Sequence, residues 1–177
     1  MNLEQAVKAA KKGDLKAQRY LYEQYKVSLF TVCLRYSRDR SEAKDILQEG
    51  FLSIFKDLHQ YEEKGDIGKW MRKVVVNTAL QYLRKWKKDW AHADSREYEQ
   101  TLFQEEKVFH KLGEEELIKM IQQLPQGYKI VFNLYVIEGY NHNEIADLLG
   151  ISESTSRSQL YKAKAVLRKQ IELQLLT

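Results

Sequence analysis

Apolar residues recur at steps of three and four along most of this chain, the spacing of helices buried along one stripe. Leu3, Ala6, Val7 and Ala10 mark a first helix running to about Lys12. Gly13 stops it, and Asp14 is placed to cap the next. Leu21, Tyr25, Leu29, Val32 and Tyr36 then define a long amphipathic helix from Leu15. After the polar break Ser37–Ser41, where Asp39 and Glu42 have the spacing of a capping box, a third helix holds Ile46, Leu47, Phe51, Ile54, Phe55 and Leu58. A loop from Tyr61 to Gly68 leads into a strongly periodic helix through Trp70, Met71, Val74, Val75, Thr78 and Tyr82 to about Lys88.

From Trp90 to Gly113 the period fades and acids accumulate, which reads as a linker. A second unit starts near Glu114. Leu117, Ile118, Ile121 and Leu124 form a helix that stops before Pro125, and Ile130 to Ile137 form another ending at Gly139. Asn141 and Glu144 open a short helix to Leu149, Gly150-Ile151 turns, and Ser152 caps a last helix that runs from Glu153 into the tail. The expected fold is all-α: two small helical domains, 1–90 and 114–177, joined by an acidic linker at 91–113, the C-terminal one a helix-turn-helix.

Composition narrows this. One proline and 8 glycines among 177 residues are few for a turn-rich β-sandwich or barrel, and 44% hydrophobic residues suffice for two cores. A single cysteine, Cys33, excludes an internal disulfide. No apolar run approaches the ~18 residues of a membrane span, and the N-terminus lacks a signal-peptide pattern, so the expectation is a cytoplasmic protein without membrane insertion.

Charge adds more than its total of +4 suggests. Residues 64–90 hold eight Lys and Arg against two acids, residues 91–118 three against eight, and residues 151–177 five against two. Two cationic segments separated by an acidic one suit two contacts along one polyanion, although solvated helix faces would show the same counts.

In the first cationic segment Lys69, Arg72, Lys73, Arg84 and Lys85 are interleaved with Trp70, Tyr82, Trp86 and Trp90, with Asn77 among them. Charges that track a backbone beside aromatic stacking platforms suit single-stranded nucleic acid; a buried stripe would also account for Trp70 and Tyr82. Just before the second, Ala146 and Gly150 permit close crossing of two helices. The latter helix carries Ser154, Thr155, Arg157, Ser158, Gln159, Tyr161 and Lys162, side chains that read base edges or hold phosphates. An ordinary helical hairpin is the plain alternative. Acid–base, nucleophilic and metal sites lack support: Asp45 and Glu49 stand without a metal-ligand cluster, and the four histidines share no ligand spacing. No cofactor is expected.

Three stretches taken together resemble the extracytoplasmic-function group of the sigma-70 family of bacterial transcription factors. Asp45-Ile-Leu-Gln-Glu-Gly-Phe-Leu-Ser-Ile-Phe55 is similar to the helix that docks on the β′ clamp helices of core RNA polymerase. Trp70 to Arg84 looks like the segment that opens and reads the −10 element. Leu124-Pro125 to Arg168 resembles the helix-turn-helix domain that reads the −35 element. The resemblance implies that Asp45, Gln48, Glu49 and Phe51 face polymerase, that Tyr61 and Asn77 help hold a flipped base of the melted strand, and that Arg157, Ser158, Gln159, Tyr161 and Lys162 read the upstream element. The implied partners are core polymerase (β′ clamp helices and β flap), promoter DNA and an anti-sigma factor. Ser156 departs from the family's usual apolar residue, and Gln159 from a frequent arginine. Promoter elements two helical turns apart lie roughly 70 Å from each other, so the 24 residues 90–113, at most about 80 Å long when extended, are expected to be extended on DNA. The other readings are a stand-alone helix-turn-helix regulator that never joins polymerase, and a nuclease.

Overall fold

Capping side chains decide where the first helices begin. The structure is a computed structural model that describes residues 1–84 and 113–175. All of the expected 91–113 linker except Gly113, together with Lys85, Trp86 and Trp90, lies outside the described residues. Among those described, all regular structure is helical, and it falls into two units.

The N-terminal unit contains α1 (Leu3–Lys11), α2 (Leu15–Tyr36), α3 (Arg40–Asp57), a 3₁₀ turn at Leu58–Gln60, and α4 (Ile67–Leu83). Asn2 and Gln5 form a capping box on α1, and Asp14 accepts from the Ala17 amide at 2.7 Å to start α2. Gly13 takes φ +84° between them, as the stop requires. Asp39 caps α3 by accepting from Glu42 N at 2.9 Å. The expected reciprocal half of that box is absent. The Glu42 carboxylate instead accepts from the Arg38 amide at 2.7 Å and from the Arg38 guanidinium, because a buried carboxylate gains more from a cation than from one further amide.

Helices α2, α3 and α4 bury Leu21, Cys33, Tyr36, Ala43, Ile46, Ile54, Met71, Val75, Ala79 and Leu83, while α1 adds Ala6 and Val7. At Gly50 α3 runs close against α4: a Cβ there would lie 3.0 Å from Val75 Cγ2. Burial pushes the Cys33 thiol up to about 12, which leaves it protonated and unreactive.

The C-terminal unit contains α5 (Glu114–Gln123), α6 (Gln126–Phe132) continuing into a π-helical turn at Asn133–Ile137, α7 (His142–Leu149) and α8 (Glu153–Leu175). The second helix of this unit begins directly after Pro125, four residues earlier than the apolar period indicates, and its last turn widens. Buried Asn133 donates its side-chain amide to the Lys129 carbonyl at 2.9 Å, so a side chain competes inside the helix for a main-chain acceptor. Asn141 and Glu144 form the anticipated reciprocal box, at 2.9 and 2.8 Å. Gly150 adopts φ +65°, ψ +44°, and its amide with that of Ile151 closes on the Ala146 carbonyl at 2.8 and 3.1 Å. Together α7, this turn and α8 make the helix-turn-helix.

His142 at the start of α7 accounts for the unusual Ser156. Its Nδ1 lies 2.9 Å from Ser156 Oγ, and its ring stacks on Tyr135 with centroids 4.5 Å apart. Ser156 is fully buried and His142 nearly so. A hydroxyl at a core position thus has its partner across the helix pair. Burial first, then the neighbouring Arg157 and Lys164 charges, hold the imidazole below its usual value, with Glu153 opposing. The unfolded chain therefore takes up a proton at a higher pH than the folded one. Stability from this site is complete above about pH 6.5 and is lost as pH falls through the lowered folded value. Thermal midpoints measured from pH 7.5 down to 5.5 should fall in the parent chain, and the slope should flatten in His142→Gln.

Candidate nucleic-acid interface

Period sorts the polar residues of α4 onto one side. With Met71, Val75, Ala79 and Leu83 buried, the exposed positions are Lys69, Lys73, Asn77, Gln81 and Arg84, which follow one another at steps of three and four. Trp70, Arg72 and Tyr82 flank this stripe half-buried. Of the residues expected to meet the melted strand, Lys69, Lys73, Asn77 and Arg84 share one open face. Lys85 lies outside the described residues.

Tyr61 differs. It is 8% exposed, its ring packs on Trp70 at 5.7 Å between centroids, and its hydroxyl donates to the Gly65 carbonyl at 2.7 Å. A ring so enclosed, with its hydroxyl engaged, is not an open stacking platform. Tyr61 closes the loop that precedes α4. Asp66 completes the entry, accepting from Gly68 N at 2.7 Å as the N-cap.

On α3, Asp45, Gln48 and Glu49 are exposed as expected. Phe51 is 5% exposed and packs against Tyr22 at 4.6 Å and Phe55 at 5.8 Å, so it belongs to the core edge and not to the open face. The apolar residue on that face is Leu52, 60% exposed, four positions beyond Gln48 and three beyond Glu49. Helical spacing from Asp45 would have found it, since an exposed leucine framed by acids breaks the amphipathic pattern.

On α8, Ser154, Arg157 and Tyr161 are exposed and Lys162 is half-buried. Thr155, Ser158 and Gln159, expected to face a groove, are buried instead. The reason is the breadth of the inward stripe: Thr155, Ser156, Gln159, Leu160, Ala163 and Leu167 all fall on it, and Ser158 falls beside it. The Arg157 guanidinium pairs with Glu153 one turn back, a half-exposed pair that other acceptors can replace. Ser152 caps the helix by accepting from Thr155 N at 3.0 Å.

The comparisons with known proteins fall on these same two units. Residues 21–89 match the model of Sigma-70 region 2, and residues 114–167 that of Sigma-70, region 4. The chain is 27% identical over 182 residues to the ECF RNA polymerase sigma factor SigW of Bacillus subtilis, covering 97% of each. It is 26% identical over 151 residues to SigM of the same organism, covering 84% of this chain and 91% of that one. To the ECF RNA polymerase sigma-E factor of Haemophilus influenzae it is 23% identical, covering 94% and 93%. A solved structure of CnrH in complex with the cytosolic domain of CnrY shares the fold, with a TM-score of 0.50, 17% identity, and coverage of 95% of this chain and 96% of that one. Two family regions in the expected order, each on its own helical unit, and relatives matched along nearly their whole length establish that the chain belongs to the extracytoplasmic-function group of the sigma-70 family.

Proposed function

We propose that this sigma factor binds core RNA polymerase through the exposed face of α3, brings it to promoters whose upstream element is read by α8, and captures the melted −10 strand along α4. The observation that carries this reading is the pair of open faces on separate units: Lys69, Lys73, Asn77 and Arg84 on α4, and Ser154, Arg157 and Tyr161 on α8. The chain itself performs no bond chemistry. Cations hold phosphates, Asn77 offers an amide to an unstacked base, and half-exposed Trp70 and Tyr82 offer ring edges beside them. A stand-alone regulator would need the second unit alone and would leave the region 2 match over 21–89 without a use.

The partners follow from that role. Asp45, Gln48, Glu49 and Leu52 form an acidic face with one apolar contact, suited to a basic helical surface such as the β′ clamp helices. The second unit would meet the β flap. An anti-sigma factor that covers one of these faces is the expected inhibitor, and the cytoplasm, where the polymerase works, is the expected location. No helix among the described residues is long and apolar enough to cross a membrane. Purified core enzyme, this chain and a randomised promoter library test the whole reading: enrichment of a two-element consensus with defined start sites is expected, and transcripts indistinguishable from those of core enzyme alone would refute it.

The faces divide by mutation. Leu52→Asp should weaken assembly with core polymerase at least tenfold and leave the thermal midpoint nearly unchanged, whereas Phe51→Ala should cost about 3–5 kcal/mol of stability as a buried aromatic. Gel filtration with core enzyme and thermal melts separate the two. Arg157→Ala should lose about 1–3 kcal/mol of discrimination at the upstream element if it reads a guanine. An equal loss on scrambled upstream DNA would make Arg157 a phosphate contact.

A further inference from the structure

The loop between the 3₁₀ turn and α4 is tied to the first helix by one side chain. Lys11, in the last turn of α1, donates its ammonium to the Tyr61 carbonyl and pairs with Glu63 Oε1 at 3.0 Å. Its Nζ also sits 5.6 Å from the centroid of the Tyr61 ring. One ammonium thus meets a backbone acceptor, a carboxylate and an aromatic face, all some fifty residues away in sequence. Its side chain is only 20% exposed, which strengthens each of these contacts relative to a solvated pair.

What it holds is an unusual stretch of backbone. Glu63 is the only non-glycine with positive φ among the described residues, at +60°, and Gly65 follows at +84°. A side chain in the left-handed region persists only where its surroundings determine it. Here Lys11 grips the Glu63 carboxylate, and the Tyr61 hydroxyl, donating to the Gly65 carbonyl at 2.7 Å, closes the turn beyond it. Tyr61 in turn leans on Trp70 of α4 at 5.7 Å. Lys11, the loop and the start of the cationic stripe are therefore one connected assembly. Helix α1 lies outside the residues matched by the region 2 model, so nothing in that match assigns Lys11 a role.

We propose that Lys11 is a positioning residue for promoter opening: it fixes the loop 61–66 in the conformation that leaves the α4 entrance ready for an unstacked strand, and neutralises Glu63 beside an incoming phosphate. The inference rests on the promoter-opening role proposed for α4. Lys11 itself need touch no nucleotide. Its contribution is to the rate of opening, because a loop already in shape has no ordering cost to meet at that step.

The test uses holoenzyme made with core polymerase and promoter DNA taken from the selected library, carrying a fluorescent adenine analogue in the −10 element. Lys11→Met is expected to slow opening at least fivefold, with core binding and closed-complex affinity within twofold of the parent. Lys11→Arg, which keeps a cation that can reach a carbonyl, a carboxylate and a ring, should open within twofold of it. Opening at the parent rate by Lys11→Met overturns the proposal, as does an equal loss in core binding, closed-complex affinity and opening, which would mark a purely structural lysine. Should Lys11→Met fail to fold, Tyr61→Phe removes only the hydroxyl bond to Gly65 and should slow opening at least threefold; a parent rate there overturns the proposal equally. A parent holoenzyme that opens no selected promoter would fail the promoter-opening role and the brace together, whereas a parent that opens alongside unaffected variants fails the brace alone.

Discussion

Helix α4 has to bury one stripe of its surface against α2 and α3, and the rest of the N-terminal unit's function follows from that requirement. Once Met71, Val75, Ala79 and Leu83 are committed to the core, a period of 3.6 residues sends Lys69, Lys73 and Asn77 to the opposite side. Gly50 tightens the contact of α4 with α3, because a Cβ there would lie 3.0 Å from Val75 Cγ2 and that side chain would have to give by a few tenths of an ångström. A rotation of α4 by one residue's worth would move the whole polar stripe. The hydrophobic effect does the positioning, and the cations inherit their geometry from residues that never meet solvent.

The same logic explains which parts of the fold are legible in the sequence. Elements can be read where the period is long and the caps are local: α1 and α2 begin at their expected positions, α3 begins at Arg40, directly after the expected cap Asp39 and inside the expected polar break, and the Asn141–Glu144 box forms as its spacing implies. What hydrophobic spacing misses is the choice a polar side chain makes among competing partners. Glu42 takes Arg38 instead of completing its own cap, and Asn133 turns inward and widens the end of α6. Neither choice leaves a trace in the period. Among the site residues, Asp45, Gln48, Glu49, Lys69, Lys73, Asn77, Arg157 and Tyr161 all stand at open positions. Phe51, Tyr61, Thr155, Ser158 and Gln159 do not, and all five carry side chains at home either in a core or at an interface. Residue type alone does not decide between those two environments; the breadth of the buried stripe does.

Ser156 shows how a departure from a family pattern becomes intelligible only with its partner in view. A hydroxyl at an apolar position would ordinarily count against the packing of a recognition helix. Here it meets His142, and the stack of that ring on Tyr135 fixes the imidazole's plane. Three residues, one each from the π-helical turn, α7 and α8, thereby replace an apolar contact with a directional one. Directional contacts fix register more narrowly than apolar ones.

On the strand-capturing role proposed for α4, acidic groups at its entrance pose an electrostatic difficulty, since each would repel the backbone that the lysines attract. Each acid of the loop is already engaged. Asp66 faces the positive end of α4 and accepts from Gly68 N, Glu63 is held by Lys11, and Glu62 pairs with Lys64 at 3.1 Å. Charges answered within a few ångströms project little field beyond a Debye length of about 8–10 Å. Lys69, Lys73 and Arg84 make no ion pair of that kind among the described residues, so their field dominates at the distance from which a strand approaches. The loop can therefore carry carboxylates for its shape without surrendering the attraction proposed for α4.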